Sequence, residues 1–338
     1  VQDDAPQPRV GASYLIKKTN TVLRGSYSRT FETPYNENLI LSSATGAGGL
    51  ATNGVIDSST SNQPLRPGRR NQYNAGFQQG FGKYVVIDAD YFWKYTNNAY
   101  DFNVLLNTPV TFPISWHNSK LDGVGLRASL NNYKGLSLYF TAGHTRARYF
   151  PPETGGLFFN SVLPGGAFRI DHDQAFQSNL AVFYTFNGIK KLAPYIGFNW
   201  EYESGLVAGS VPDFQTALTT LTPDQQAQIG LFCGNTFATP TQGITDCTDP
   251  NHGALRVRIP ADGTENDDTN PPRIAPRHLF DASVGTDNLF RTERVRVTLR
   301  LSGTNLTNKD TLYNFLSTFS GTHFVAPRAF SVQVGVKF

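Results

Sequence analysis

Arg294-Val295-Arg296-Val297-Thr298-Leu299-Arg300-Leu301-Ser302 places Val295, Val297, Leu299 and Leu301 on one face and charged or hydroxyl residues on the other. A period of two is the period of a β-strand. The same alternation sets Val85, Ile87, Ala89, Tyr91, Trp93 and Tyr95 against Asp88, Asp90, Lys94 and Thr96, and Ile196, Phe198, Trp200 and Tyr202 against Asn199, Glu201 and Glu203. Weaker versions predict strands over 9–17, 21–31, 70–81, 119–132, 136–148, 173–186, 278–288 and 327–338, about eleven in all. Most are roughly nine to fourteen residues long, whereas a soluble strand is usually five or six and a tilted membrane strand needs about nine to eleven.

The connections alternate in length. Lys18–Asn20, Gly82–Lys83, Tyr133–Gly135, Asn187–Ala193 and Asn288–Arg291 are short; Glu32–Arg69, Asn98–Asn118, Tyr149–His172, Ser204–Arg277 and Leu306–Ala326 are long. Short turns at one end and long loops at the other are the outer-membrane pattern, which a soluble sandwich or propeller has no reason to follow. The reading is all-β: an antiparallel up-and-down transmembrane β-barrel occupying 1–338 as one domain, with long loops extracellular and the C-terminus periplasmic. Because the strand count is odd, the first and last strands point the same way, and an open half-barrel is expected.

Composition agrees. Aromatics are 13%, charged residues 16% and glycines 31 in number, yet mean hydropathy is −0.32. Apolar and polar residues are therefore finely interleaved, and no run approaches the eighteen or so needed for a membrane helix. A net charge of +3 without a dense basic block gives no grip on nucleic acid. The start, Val1-Gln2-Asp3-Asp4-Ala5-Pro6, has no signal-like segment and the chain has no Met, from which an upstream portion is expected.

The ending Phe330-Ser331-Val332-Gln333-Val334-Gly335-Val336-Lys337-Phe338, apolar at Phe330, Val332, Val334, Val336 and Phe338, is similar to the terminal insertion signal read by the barrel-assembly machinery. Gly303-Thr304-Asn305-Leu306-Thr307-Asn308-Lys309 resembles the segment before the final strand of TonB-dependent outer-membrane receptors. Arg277–Gly285 and Arg24–Pro34 resemble barrel segments of that family. Pro67-Gly68-Arg69-Arg70-Asn71-Gln72-Tyr73-Asn74-Ala75-Gly76 keeps a family Pro and Gly but lacks the two acids between them. The resemblance implies the C-terminal half of a barrel of about 22 strands, without its plug domain. It further implies uptake of a metal chelate, cofactor or oligosaccharide, with outer-membrane lipid and the energy-coupling protein TonB as partners. A passive porin-like or structural barrel is the alternative, and a soluble carbohydrate-binding β-protein ranks third.

Candidate sites are few. Cys233 and Cys247, close together in a Gly/Thr/Asp-rich stretch, read more easily as a loop disulfide than as a metal site. Asp171-His172-Asp173 is the most ligand-like cluster, but adjacent positions converge poorly and a solvated loop is the simpler reading. Asp262–Asp268 is acidic yet breaks the EF-hand spacing and reads as a solvated loop. Gly46-Ala47-Gly48-Gly49 lacks the residues of a phosphate loop. Thr222-Pro223 starts a short helix in the largest loop. No catalytic grouping can be assembled and nothing calls for a cofactor or metal. Arg294, Arg296, Arg300, Asp88, Asp90, Lys94, Glu201 and Glu203 are expected in the lumen, and Trp116, Tyr149, Phe150, Phe158 and Phe159 could form an external ligand platform, with Asp171, His172 and Asp173 as further candidate contacts.

Overall fold

The computed structural model describes residues 6–33, 62–63, 65–104, 111–157, 166–189, 192–292, 294–318 and 321–337. Eleven long strands follow one another as neighbours in a single antiparallel sheet. They are β1 (Arg9–Ile16), β2 (Thr21–Glu32), β3 (Gly68–Phe81), β4 (Val85–Val104), β5 (Thr111–Tyr133), β6 (Leu136–Leu157), β7 (Phe176–Thr185), β8 (Pro194–Glu203), β9 (Arg277–Thr286), β10 (Arg296–Thr304) and β11 (Ala329–Lys337). The expected count is met. Among the described residues β1 pairs only with β2 and β11 only with β10, so both are edges. No helix described is long and apolar enough to cross a membrane, which says nothing about strands.

Register carries the alternation across the sheet. Val284 of β9 stands opposite Leu301 of β10, and Leu301 opposite Val332 of β11, while Gly285, Arg300 and Gln333 form the adjacent row. One face is thus apolar and exposed, with Phe330 at 74%, Val332 at 69% and Val334 at 64%. Burying such a face in water would require a second layer; among the described residues none covers it, as expected of a wall whose solvent is hydrocarbon. Arg294 and Val295 are a correction: β10 begins at Arg296 and both lie in the preceding turn, where Val295 accepts a hydrogen bond from Thr292 Oγ1.

The long connections differ from expectation in where they begin. Asn98–Asn118 reads as a loop from sequence, yet β4 runs to Val104 and β5 starts at Thr111; Tyr149–His172 loses its first part to β6, which runs to Leu157. In these upper portions apolar alternation fades, although the backbone ladder continues through Ala99 opposite Trp116 and Asp101 opposite Ile114. Pairing needs only the backbone, whereas alternation reports a face held against one solvent. Irregularities between Ser115 and Asn118 accommodate Pro151 and Pro152 on the neighbouring strand.

The 204–276 connection is a folded lobe. Ala208, Val211, Phe214, Leu218, Ile229, Leu231, Ile244, Val257 and Ile274 are buried together, joined by Leu312 and Phe315 from the 305–328 connection. Two helices, α1 (Phe214–Thr220) and α2 (Pro223–Ile229), supply much of this core. In α2 Thr222 caps the start and makes a reciprocal capping box with Gln225, as its sequence predicts, and Gly230 closes the end at φ 67°. Helix α1, capped by Asp213, goes beyond the sequence expectation. Its signal is present as Phe214, Ala217, Leu218 and Leu221 at helical spacing behind an Asp. Cys233 and Cys247 are joined in a disulfide, their Cα atoms 5.8 Å apart. Gly46–Gly49, Phe158, Phe159 and Phe338 lie outside the described residues.

Candidate functional site

In one register row of the polar face Arg24 of β2, Gly76 of β3 and Asp90 of β4 are successive neighbours. Arg24 reaches across β3 to both carboxylates of β4: Nη1 and Nη2 donate to Asp88 at 2.9 and 2.7 Å, and Nε donates to Asp90 at 2.9 Å. Gly76 permits the crossing, because a Cβ there would collide with the Asp90 carboxylate and stand 2.7 Å from the Ala89 carbonyl oxygen.

The row continues through Gly125, Gly143 and Gln177 to Glu203 and Arg277. Side chains absent at Gly125 and Gly143 leave the floor of a cavity of about 590 Å³, whose polar lining includes Asp88, Asp90, Arg127, Gln177, Glu201 and Glu203. Four of the residues expected in the lumen therefore share one site. Arg300 belongs to a second hollow with Asn199 and Asp281, and Lys94 packs over the Phe92 ring at 5.2 Å. Sequence reading missed Arg24, Arg127 and Arg277. Each sits at a polar position of an alternating strand, but their partners lie on strands distant in sequence.

Arg277 joins this face to the loops. It is 2% exposed, ion-pairs with Glu203, donates from Nη1 to the Leu312 carbonyl oxygen at 3.1 Å and lies 5.1 Å from the Tyr313 ring. The strand pair Leu312–Ser317 and Gly321–Phe324 thereby borders a cavity of about 500 Å³ lined by Glu201, Arg277, Tyr313, Asn314, His323 and Phe324.

Asp171 and His172 stay together as an ion pair, while Asp173 turns away from them. Asp173 is not solvated, a correction to the loop reading: its side chain is fully buried, accepting from Ala147 N at 2.8 Å and Arg273 Nη2 at 2.5 Å and lying 3.5 Å from Arg169. Asp171 ion-pairs with His172 and accepts from Ser317 Oγ at 3.0 Å. The hydrogen bond to Asp171 raises the His172 pKa against the opposing effect of burial. For Asp171 burial pushes the pKa up, but His172, Ser317 and the Thr318 amide together hold it below its usual value. Asp268 also departs from the solvated reading, since Arg148 and Arg169 both clamp it. Among the described residues no group of three His, Cys, Asp or Glu side chains is placed to hold a metal ion.

The loop aromatics are partly gathered. Trp116 is 5% exposed, donates to Asp101 at 3.0 Å and meets Phe168 edge-on at 4.9 Å; Tyr149 stands 6.1 Å from the same Phe168, which sequence reading missed. Phe150 lies apart, beneath Lys120 and Arg148.

Comparison with known proteins adds to this geometry. A family model described as TonB dependent receptor-like, beta-barrel, matches residues 2–306. A search among curated proteins returns no match. Among solved structures, the chain is similar to the FrpB iron transporter from Neisseria meningitidis, with 15% identity and a TM-score of 0.54 over 98% of this chain and 38% of that one. It is similar to the ferric-catecholate import receptor Fiu from E. coli K12, with 13% identity and a TM-score of 0.53 over 97% and 34%. It is also similar to P. aeruginosa FpvA in a pyoverdine–iron complex, with 13% identity and a TM-score of 0.52 over 98% and 33%. At such identities the likeness is one of fold, and the chain spans 33–38% of the length of these structures.

Proposed function

Because this chain belongs to the TonB-dependent receptor β-barrel family of the outer membrane, we propose that it forms part of the wall of a transporter that takes up a ligand under energy coupling. The family is not enzymatic. The ligand is a metal chelate, cofactor or oligosaccharide, the long connections are extracellular and the C-terminus is periplasmic. The N-terminal strands and the plug complete the barrel and cover the edges of β1 and β11, which would be unfavourable in lipid.

The observation that carries this reading is the junction at Arg277. A polar wall that hydrocarbon could not tolerate continues without a break into loops packed over its upper end, giving a ligand path with a mouth. Mouth residues such as Tyr313, Asn314, His323 and Glu201 meet the ligand first, and the row from Arg277 to Arg24 faces the plug and the passing ligand. The resemblance in fold to an iron transporter and a ferric-catecholate import receptor supports the chelate class.

The test uses the full-length receptor in cells, supplied with a labelled ferric chelate, a cobalamin and an oligosaccharide in turn. Accumulation of one label that disappears when the coupling protein is deleted is expected. Entry that persists without the coupling protein, together with steady ion conductance of the purified receptor in a planar bilayer, would overturn the reading in favour of a passive channel.

A further inference from the structure

Glu201 of β8 lines both the cavity of about 590 Å³ in the wall and the cavity of about 500 Å³ bordered by the strand pair Leu312–Ser317 and Gly321–Phe324. Among the described residues no other is shared by the two linings. The side chain is half-buried, and among the described residues no hydrogen bond or ion pair reaches its carboxylate. Its neighbours in the register row, Asn179 on β7 and Leu279 on β9, are uncharged. Arg277 lies on the same face of β9, but it pairs with Glu203 and donates to the Leu312 carbonyl oxygen. Two carboxylates therefore face one guanidinium.

The far side of the wall cavity is balanced. Asp88 and Asp90 on β4 are held by Arg24, and Arg127 of β5 is the register partner of Asp88. From Arg127 the row runs through Thr141 and Asn179 to Glu201, so only uncharged hydrogen-bonding groups intervene. The surplus negative charge falls at Glu201. A carboxylate withdrawn from bulk water without a partner is costly, and a cation brought to it offsets that cost. Tyr313 and Phe324 line the same cavity with rings 49 and 45% exposed, and an aromatic face attracts an organic cation. Arg277, 5.1 Å from the Tyr313 ring, and Arg256, 5.7 Å from the Phe324 ring, show both rings in that role. These guanidiniums are neutralised by Glu203 and Asp310, so neither adds net charge against a further cation. Asn314 and His323, 3.2 Å apart, complete the polar lining.

We propose that Glu201 anchors a cationic group of the transported ligand, and that this ligand is a metal chelate bearing an ammonium or guanidinium arm. The inference rests on the uptake reading given under Proposed function. A charge-assisted hydrogen bond to Glu201 holds the arm, and the exposed rings of Tyr313 and Phe324 take its apolar stem. A polyanionic chelate such as a ferric tricatecholate meets an unpaired carboxylate there and is rejected. Because Glu201 belongs to both cavities, the arm held at the mouth is already at the entrance to the wall cavity.

The test uses purified full-length receptor and isothermal titration calorimetry with three ferric chelates: a linear trihydroxamate ending in a free primary amine, the same trihydroxamate acetylated at that amine, and a tricatecholate. Wild type is expected to bind the amine form about tenfold or more tighter than the acetylated form, as a charge-assisted hydrogen bond exceeds a neutral one, and to bind the tricatecholate least. E201Q should bring the amine form to the level of the acetylated form. E265Q, which removes the same charge from an exposed loop position, should keep the preference. Retention of the heat-resistant barrel band on gels identifies variants that fold, and the wild-type ranking of the three chelates decides the matter even where a variant does not. Equal binding of the amine and acetylated forms by wild type, tightest binding of the tricatecholate, binding of none of the three, or an undiminished preference in folded E201Q would each overturn the proposal. Dependence of uptake on the coupling protein is read in cells and not from these titrations, so the energy-coupled reading stands or falls separately.

Discussion

The eleven-stranded wall and the lobe at 204–276 use the same apolar side chains in opposite senses. In the wall, Val332, Val334 and Phe330 are among the most exposed residues; in the lobe, Val211, Ile229, Leu231 and Ile274 have no accessible surface. The wall is held by its backbone ladder and awaits a hydrocarbon solvent, whereas the lobe carries its own core, two capped helices and a disulfide. Hydrophobicity alone therefore does not say which side of a chain is inside. The surrounding solvent decides it, and one chain here meets two solvents.

The sharpest way to break this contrast is at the seam. Arg277→Ala would leave the Glu203 carboxylate unpaired in a largely buried position, and removing one partner of such a pair costs about 3–5 kcal/mol. Loss of the ordered packing of 312–324 on the wall is expected, read as protease cleavage in that segment while the barrel itself resists. Unchanged cleavage would show that the wall and the lobe are independent.

Core truncation should separate the regions next. Leu231→Ala, at a fully buried position, should cost about 2–5 kcal/mol. Val334→Ala removes a side chain that faces lipid and leaves no cavity, so thermal melting of the receptor in bilayers should hardly move. Equal effects at the two sites would contradict the division into two solvents.

The converse change is Leu301→Arg. A cation on the lipid face costs about 2–4 kcal/mol at mid-bilayer, so assembly into membranes should fall, while Arg300→Leu on the polar face should leave assembly nearly intact. Folded-barrel yield on gels measures both.

The smallest expected effect is a pH dependence at the loop contact of Asp171 and His172. The His172 pKa is raised in the folded state, so its stabilising contribution is full below about 6.5 and is lost as pH rises through the raised value. The Asp171 pKa is lowered, so its contribution is present above the ordinary carboxylate value and is lost as pH falls through the lowered one. His172 is half exposed, which keeps the effect small. Hydrogen exchange at 168–173 and 317–318 should be slowest in mildly acid solution and faster above neutrality. Asp171→Asn should flatten that profile.

Local pattern alone determined much of the wall. Residues 296–304 and 329–337 are legible as strands because every second side chain meets the same solvent, and the sorted turn lengths reveal which ends lie together. Thr222-Pro223-Asp224-Gln225 is legible as a helix start because a capping box lies within four residues. Only the tertiary structure decided the rest. The ladder from Ala99 to Val104 continues where no single solvent marks a face; Arg24 meets Asp88 only because Gly76 lets it pass; Asp173 is buried by Arg273, a hundred residues away. Periodicity records what a residue faces, and it can be read along the chain. Which particular partner a charge finds depends on strand order and register across the sheet, which no stretch of neighbouring residues contains.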